Sequence, residues 1–532
     1  VHRFGRWPTG YRYVTVVSPA LRAVVLPMER GDGMGRHVTP NRSFKPLDRQ
    51  RYRDKMQRGL DALARMLADG NFSFPRQQMG LEMELCLVDE HMEPSMSNHV
   101  VLEKINDSSF TTELGQQNIE LNVEPQVLAG DSAVELEQRL HASMSRAASG
   151  AHDAGAKVVM IGTLPTLRDA HFDPQWLSRN PRYSILNEQI FLARGEEMLL
   201  DMEGVPLGDR APERLRSYAD SILPESACTS VQLHLQVAPE DFASHWNAAQ
   251  CLAGVQVAVG ANSPFLLGKA LWHETRIPLF IQATDTRPQE LRNQGVRPRV
   301  WFGERWITSI FDLFEENVRY FPALLPEPEE EDPLAALEAG RAPTLAELRL
   351  HNGTIWRWNR PVYDLVDGVP HLRVENRVLP AGPSVVDTVA NACFFYGVQR
   401  ALTEQDRPLW SQMTFAAAEE NFYAGARHGM DAHLYWPGIG WVTPDELVLR
   451  ILLPMAHEGL RSCGVSDRAR ERYLGIIEQR CLVRQTGASW QRDVVAMLEE
   501  RGADRRSALA GMLRRYIELT ESGEPVHLWP VE

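Results

Sequence analysis

The sequence predicts an α+β fold: a mixed or antiparallel sheet first, helices covering it, and a mainly helical C-terminal third. Three observations carry this expectation. Short segments from Met79 onward alternate apolar and polar residues with a period of two, as strands with one buried face do. Other stretches repeat apolar residues at helical spacing. From Val385 to the C-terminus the helical pattern persists, broken by Gly and Pro around Trp436–Val442.

The elements follow in order. Residues 47–69 place Tyr52, Met56, Leu60, Leu63 and Leu67 at helical spacing with charges between them, which predicts a surface helix leading into the body. Ser132–Ala154 predicts a second helix with Val134, Leu136, Leu140, Met144 and Ala148 along one face, and a strand, Lys157–Ile161, comes next. Pro326–Pro333 strings Glu327, Glu329, Glu330, Glu331 and Asp332 between prolines and predicts an exposed acidic loop. No internal repeat or low-complexity tract occurs. The expected division is an N-terminal extension over 1–46, a main domain over 47–390 and a helical region over 391–532 packed on it. In the extension, Arg22 interrupts the apolar run Tyr13–Pro27 and no small-residue cleavage site follows, so no signal peptide is expected. Two readings of it stay open: a start at Met34-Gly35-Arg36, or an arm that packs on the body.

Bulk properties exclude several classes. With 532 residues the chain can bury a large core. A formal charge of −14 argues against a general nucleic-acid binder, and it equally describes a solvated surface. No stretch of about 18 apolar residues predicts a membrane span. The six cysteines (Cys86, Cys228, Cys251, Cys393, Cys463, Cys481) are scattered without a C-x-x-C, as reduced thiols of a cytoplasmic protein would be. Neither nucleic acid nor a membrane is therefore an expected partner; a homo-oligomer stays open.

Four strand-like segments concentrate functional groups on one face. Glu82 and Glu84 alternate with Leu81, Met83 and Leu85. Glu120, Asn122 and Glu124 oppose Ile119, Leu121 and Val123. Gln232, His234 and Gln236 share a face, as do Arg373, Glu375 and Arg377. One such alternation by itself is usually a strand half in water. Here the polar faces are acidic, acidic, neutral with a histidine, and basic with a glutamate. On one concave surface the carboxylates would repel and take up protons unless cations neutralised them, and such oxygen-rich clusters suit Mg²⁺ or Mn²⁺ holding substrate phosphates. Arginines on that surface supply bidentate contacts to phosphate or carboxylate. Neither G-x-x-x-x-G-K-[ST] nor a strand-linked G-x-G-x-x-G occurs, and the lysines are only Lys45, Lys55, Lys104, Lys157 and Lys269. Phosphate neutralisation thus falls to metal and arginine.

Blander roles stand beside these. His234 also reads as a satisfied core histidine, and Arg373 as the partner of a carboxylate on the next strand. Trp301, Trp306, Trp356 and Trp358 read as packing before base stacking. Tyr183 reads as core, with Arg182 a weak site candidate. Glu419, Glu420, Asn421 and Arg427 form a lid or, as favoured here, a solvated face.

The segments Gly80-Leu81-Glu82-Met83-Glu84, Glu113-Leu114-Gly115-Gln116-Gln117-Asn118-Ile119-Glu120, Cys228-Thr229-Ser230-Val231-Gln232-Leu233-His234, Asn262-Ser263-Pro264-Phe265 and Arg373-Val374-Glu375-Asn376-Arg377 resemble the glutamate–cysteine ligase type 2 family. These are carboxylate–amine ligases related to glutamine synthetase in fold and chemistry. The resemblance covers roughly residues 36 to 532 and is closest to a longer, actinobacterial-type branch. It implies a glutamine-synthetase-like catalytic domain: a curled antiparallel sheet with helices outside, whose inner face binds ATP and Mg²⁺, with Mn²⁺ as an alternative. By position, Glu82, Glu84, Glu113, Glu120, His234 and Glu375 match metal and phosphate positions. Glu84, Gln232, His234, Arg373 and Arg360 are the expected nucleotide-binding residues. Glu82, Glu375, Arg377 and Arg276 are the expected catalytic ones, Arg377 meeting the transferring phosphate and Arg276 near the glutamate or phosphate site. Glu124 has no family counterpart. The implied reaction joins glutamate to cysteine as a γ-glutamyl amide through an acyl phosphate. A different amine or carboxylate, a metal-dependent hydrolase on the same carboxylates, and a non-catalytic nucleotide binder remain the alternatives.

Overall fold

The computed structural model describes residues 44–74 and 77–532. Both readings of the N-terminal extension rest on residues outside those described. Pro46 opens the first described helix, α1 (Pro46–Asp69), which buries Tyr52, Met56, Leu60, Leu63 and Met66. Gly70, at φ 67°, closes it, its N–H donating to Met66 O, because a left-handed C-cap costs glycine little.

Seven strands build one sheet: β1 (Gln78–Val88), β2 (Phe110–Thr112), β3 (Asn118–Val127), β4 (Lys157–Val159), β5 (Val231–Gln236), β6 (Asn359–Val366) and β7 (Val369–Asn376). Their order is β6-β7-β5-β1-β3-β2, with β4 paired to the far end of β1. Every pairing is antiparallel, and the sheet curls into a half-barrel. A register shift between Met79 and Leu81 marks a bulge in β1, a feature that bends and twists a strand. The expected strand Lys157–Ile161 stops at Val159. The Met160 and Ile161 carbonyls are taken by the hydroxyls of Tyr516 and Thr229 instead of a ladder partner.

Helices cover the sheet: α2 (Asn98–Ile105), α3 (Ser132–Asp153), α4 (Pro181–Arg194), α5 (Phe242–Gly260) and α6 (Arg276–Ala283). Helix α3 has the expected span but a different inner face. Ala133, Leu136, Leu140, Ser143 and Ala147 are buried, Val134 and Met144 half-buried and Ala148 exposed, because the packed stripe is set by its neighbours and not by hydropathy alone. The C-terminal third is helical as expected: α7 (Val385–Thr403), α8 (Phe415–His428), α9 (Leu453–Ser462), α10 (Asp467–Val483), α11 (Gly487–Glu500) and α12 (Arg505–Ser522). The expected punctuation near Trp436–Val442 is a small hairpin, Leu434–Trp436 with Gly440–Val442. Asn421, expected on a solvated face, is buried and holds this hairpin through both the N–H and the carbonyl of Tyr435. Glu420 is exposed. Pro326–Pro333 is irregular up to its last residue, as expected, yet Glu327 and Pro326 are buried and only its centre is exposed. No helix among the described residues is long and apolar enough to cross a membrane.

The apolar sheet face (Leu81, Met83, Leu85, Ile119, Leu121, Val231, Leu233, Leu235, Leu372 and Val374) belongs to the main core together with α5 and α7. Those two helices are buried nearly all round, as central helices of a large core are. The expected boundary at 390/391 falls inside α7, whose Tyr396 hydroxyl reaches the carbonyls of Gly80 (3.2 Å) and His234 (3.1 Å). A buried ion pair ties α10 to this centre. Arg480 donates to Asp387 (2.7 Å), Asn391 (2.6 Å) and the Val259 carbonyl (3.1 Å), while Asp387 also accepts from Ser384 Oγ and the Val526 N–H. Removing one member of such a pair strands the other charge. Arg480→Met is therefore predicted to cost about 3–5 kcal/mol, read as a lower thermal midpoint and a lower denaturant midpoint. An unchanged midpoint would refute the assignment.

Candidate active site

The polar face of the sheet brings the four segments together. Ladder pairing puts Glu84 opposite Glu120, Glu82 opposite both Asn122 and Gln232, and Glu375 opposite both His234 and Arg360. Thr111 pairs Glu120 on the other side. The alternation explains why these groups share a face, and the antiparallel register explains why they meet.

Positive charge is unevenly spread over this face. Glu375 is 1% exposed, and its Oε2 accepts from Arg360 Nε (2.8 Å) and Nη2 (2.7 Å), while Oε1 accepts from Arg377 Nη1 (2.6 Å). Burial by itself would raise this carboxyl, but Arg360 and Arg377 overrule it and hold Glu375 well below the usual carboxylate range. Arg377 also donates to Gln232 Oε1, and Gln232 Nε2 donates to Glu84 (2.9 Å). Gln232 is thus a neutral bridge between the arginine-rich half and the acidic half. Arg377 Nε is buried without a hydrogen-bond partner.

The acidic half is Glu84, Glu113 and Glu120, each offering an oxygen within 4.8 Å of the others. Glu84 accepts from the Ser230 N–H (2.6 Å), Glu113 from the Leu114 N–H (2.9 Å), and Glu120 from Asn122 (3.0 Å) and Thr111 (3.5 Å). Burial and the neighbouring Glu113 push Glu84 up to about 7, despite the pull of Arg377. Burial raises Glu113 as well, against its backbone hydrogen bond. Glu120 lies well above the carboxylate range through burial and the charges of Glu82, Glu113 and Glu84. Three carboxyls, two of them buried and Glu113 half-buried, that resist ionising together form an all-oxygen donor set, and a hard divalent cation fits it.

Glu82 and His234 form a third group. His234 Nε2 lies 3.2 Å from Glu82 Oε1, without the alignment of a hydrogen bond. Its Nδ1 accepts from Arg373 Nε (3.0 Å), so the neutral ring carries its proton on Nε2, toward Glu82. A metal bond through Nε2 would require that proton to leave and Arg373 to turn away. Burial by itself would raise Glu82, but His234 brings it below its ordinary value. Arg373 also reaches Asp364 on β6 (3.2 Å) and His371 (3.1 Å). It is therefore at once the partner of a neighbouring carboxylate and part of the face.

Arg276 stands apart. Opening α6, it lies beneath the chain that leaves β7, and its three donors go to Glu274 and to the carbonyls of Arg377 and Val378. Tyr183 packs against the core and donates to the Thr112 carbonyl (3.1 Å), while Arg182 adds positive charge beside Glu113. Trp301, Trp356 and Trp358 are buried among aromatic neighbours, and Trp306 packs on Phe415. Sequence reasoning missed Glu225, on the turn Leu223–Ala227 just ahead of β5. Burial and the charges of Glu113 and Glu84 push it well above the carboxylate range. No periodicity marks a residue in such a turn; its nearness to the Cys228-Thr229-Ser230 segment was the available signal.

A cavity of about 380 Å³ opens from the Glu82 end of the face. Glu82, His234, Arg373 and Asn122 line one side, and Arg139, Ser143 and Arg146 of α3 line the other, with Asp107–Ser109 between them. Arg139 is fixed by the Glu124 carbonyl (3.2 Å) and by Gln126, and Arg146 by Asp107 (3.1 Å). Glu124, without a family counterpart, also lines this cavity.

No curated protein matches the sequence. Among solved structures, the chain is similar to a glutamate–cysteine ligase from Francisella tularensis in complex with AMP. That likeness has 12% identity and a TM-score of 0.50, covering 85% of this chain and 90% of that one. It is similar to a bifunctional glutathione synthetase from Pasteurella multocida (11% identity, TM-score 0.45), over 87% of this chain and 55% of that one. A third likeness is to the complex between the prokaryotic ubiquitin-like protein Pup and its ligase PafA (11% identity, TM-score 0.34), over 82% and 72%. At such identities the first of these speaks for the fold. The profile of glutamate-cysteine ligase family 2 matches residues 78–515, from the first strand to the last long helix. By that match the chain belongs to glutamate-cysteine ligase family 2, a family of carboxylate–amine ligases.

Proposed function

We propose that this protein is an ATP- and Mg²⁺-dependent ligase that activates the γ-carboxylate of glutamate as an acyl phosphate and joins it to an amine, cysteine being the first candidate. The observation that carries the reading is the division of one buried face into a carboxyl trio short of positive charge and a Glu375 carboxylate gripped by two arginines, with Gln232 between them. Phosphoryl transfer needs both kinds of environment: oxygen ligands for a cation, and a fixed guanidinium for charge that develops on the transferring group.

Glu84, Glu113 and Glu120 would hold a divalent cation. When bound, the cation neutralises phosphate oxygens and the carboxylates that hold it. The chain's own residues do the rest. A carboxylate oxygen of the substrate attacks the γ-phosphorus, the bond to the β-phosphate oxygen breaks, and ADP leaves. Arg377, held by Glu375 and Gln232 with Nε still free, offers its charge to the transferring phosphoryl group. The amine nitrogen then attacks the acyl carbon, phosphate leaves with its oxygen, and the nitrogen gives up a proton. No covalent protein nucleophile is required. The cavity beside Glu82, His234 and Arg373 takes part of the ATP, being within the usual size of ligand sites and lined by Arg139, Arg146 and Arg373 as well as Glu82, Asp107 and Glu124. The six unpaired cysteines support a reducing compartment, the cytoplasm.

An assay with ATP, Mg²⁺, glutamate and a panel of amines, following ADP and product mass, tests the reaction. Glu82→Ala and Glu375→Ala are each predicted to abolish amine-dependent ADP release in protein that stays folded by circular dichroism. Full activity in either variant refutes the reading, and a metal-dependent hydrolase, which needs no ATP, would give no amine-dependent ADP. Arg139→Ala is predicted to raise the KM for ATP roughly tenfold or more, as loss of a charged hydrogen-bonding group does, with kcat changed far less.

The trio also predicts a pH dependence. Glu84, raised from 4.5 to about 7, keeps a proton in the folded chain that the unfolded chain has already released. That contribution to stability is complete below about pH 4.5 and is lost as pH rises through about 7. In EDTA the thermal midpoint should therefore decline across this window, and Mg²⁺ should cancel the decline at its upper end. Glu84→Gln should flatten the metal-free slope; a slope identical to wild type would argue against it.

A further inference from the structure

Between the end of β7 at Asn376 and the next paired residues, the chain crosses Arg377 and Val378 without a ladder partner. Pairing resumes beyond them: the Leu379 carbonyl accepts from Val231 (3.1 Å), Pro380 bridges Ser230, and the Ala381 N–H donates to Thr229 (3.1 Å). The Arg377 N–H donates to the Trp358 carbonyl (2.8 Å). The carbonyls of Arg377 and Val378 both accept from one guanidinium, that of Arg276, through Nη1 (3.3 Å) and Nη2. Arg276 Nε donates to Glu274 (3.1 Å), and Glu274 in turn accepts from Ser263 Oγ (2.6 Å) and the Asn262 N–H (2.9 Å). Arg276 is 2% exposed and Glu274 fully buried. All three donor nitrogens of Arg276 are thus engaged with protein.

We propose that Arg276 is a positioning residue, which acts on the reaction by clamping the backbone that aims Arg377; this rests on the ligase reading above. The physical need is specific. Two buried carbonyls would otherwise lack donors, and the segment would shift to find them. Arg377 sits on that segment, and a displacement of about 1 Å in a group that meets the reacting atoms costs on the order of a hundredfold in rate. The clamp extends into the helical third. Asn262 donates to the Ala381 carbonyl (2.7 Å) and the Tyr516 hydroxyl (2.8 Å), and accepts from Gln491 (2.8 Å), so α11 and α12 brace the same turn.

The test uses the full chain with Arg276→Gln, Arg276→Lys and, in case the first fails to fold, Ser263→Ala, which removes the hydroxyl that shares Glu274 Oε1 with Arg276 Nε. For Arg276→Gln, kcat for amine-dependent ADP release is expected to fall roughly 30-fold or more, with KM for ATP and for glutamate within about twofold. Arg276→Lys should recover part of the kcat, and Ser263→Ala should show a smaller loss with the same unchanged KM values. Hydrogen exchange at the Arg377 and Ala381 amides, which donate to the Trp358 and Thr229 carbonyls, should speed up in each variant, a readout that needs no activity. A rise of about tenfold or more in the glutamate KM with kcat retained overturns the proposal by making Arg276 a substrate contact. Unchanged exchange at those amides overturns the clamp itself. A wild-type protein that releases no ADP with any amine defeats the ligase reading, while the exchange experiment still judges the clamp.

Discussion

Burial of like charges on a single sheet face is the constraint around which this protein is organised. Glu82, Glu84, Glu113, Glu120 and Glu375 share one concave surface, and water is largely excluded from it. Carboxylates in such a place must be paired, protonated or bound to a cation, since an isolated buried charge is too costly to keep. The structure uses pairing at one end, where Arg360 and Arg377 hold Glu375, and leaves the other end short of positive charge. On the ligase reading, that gradient is what suits the face to a reaction instead of a salt-bridge network. A fully paired face would be stable and inert.

The rest of the fold serves the gradient. The opposite face of the same strands is apolar and rests on α5 and α7, two helices buried nearly all round, so the strands have little freedom to change register. Tyr396 and the Arg480–Asp387 pair anchor the sheet and the helical third to that centre. Gln232 has the narrowest role. Its amide satisfies an arginine with one end and a carboxylate with the other, joining two unlike environments without adding a charge to either.

Much of the candidate site was legible because a strand has a rigid period. Glu82 with Glu84, Glu120 with Asn122, and Glu375 with Arg377 each announce a shared face by spacing of two. Residues in turns gave no such sign: Glu225 and the clamp of Asn262, Ser263 and Glu274 on Arg276 are brought in by loops whose path follows no period. Helix faces were less legible than strand faces. In α3 the apolar residues Val134, Met144 and Ala148 sit toward the margin while Ser143 is inside, because burial answers to the neighbouring elements. Asn421 shows the same limit. A polar residue with charged neighbours reads as solvated until a backbone hairpin is found to need its amide.

The amino-acid sequence alone determined the α+β class, the four strands that carry the polar face, the helices α1 and α3 and the helical C-terminal third, and the family whose motifs those strands carry. These are local properties, set by side-chain period and by residue type. Tertiary structure alone decided which carboxyls meet as a trio, that Glu375 is claimed by Arg360 and Arg377, that the proton of His234 faces Glu82, and that Arg276 grips a backbone. Each of those depends on antiparallel register and on loops that bring together residues far apart in the chain, as Asn262 and Tyr516, 254 positions apart, are. Distance along the chain carries no information about such contacts; only the packed sheet and the helices beneath it supply it.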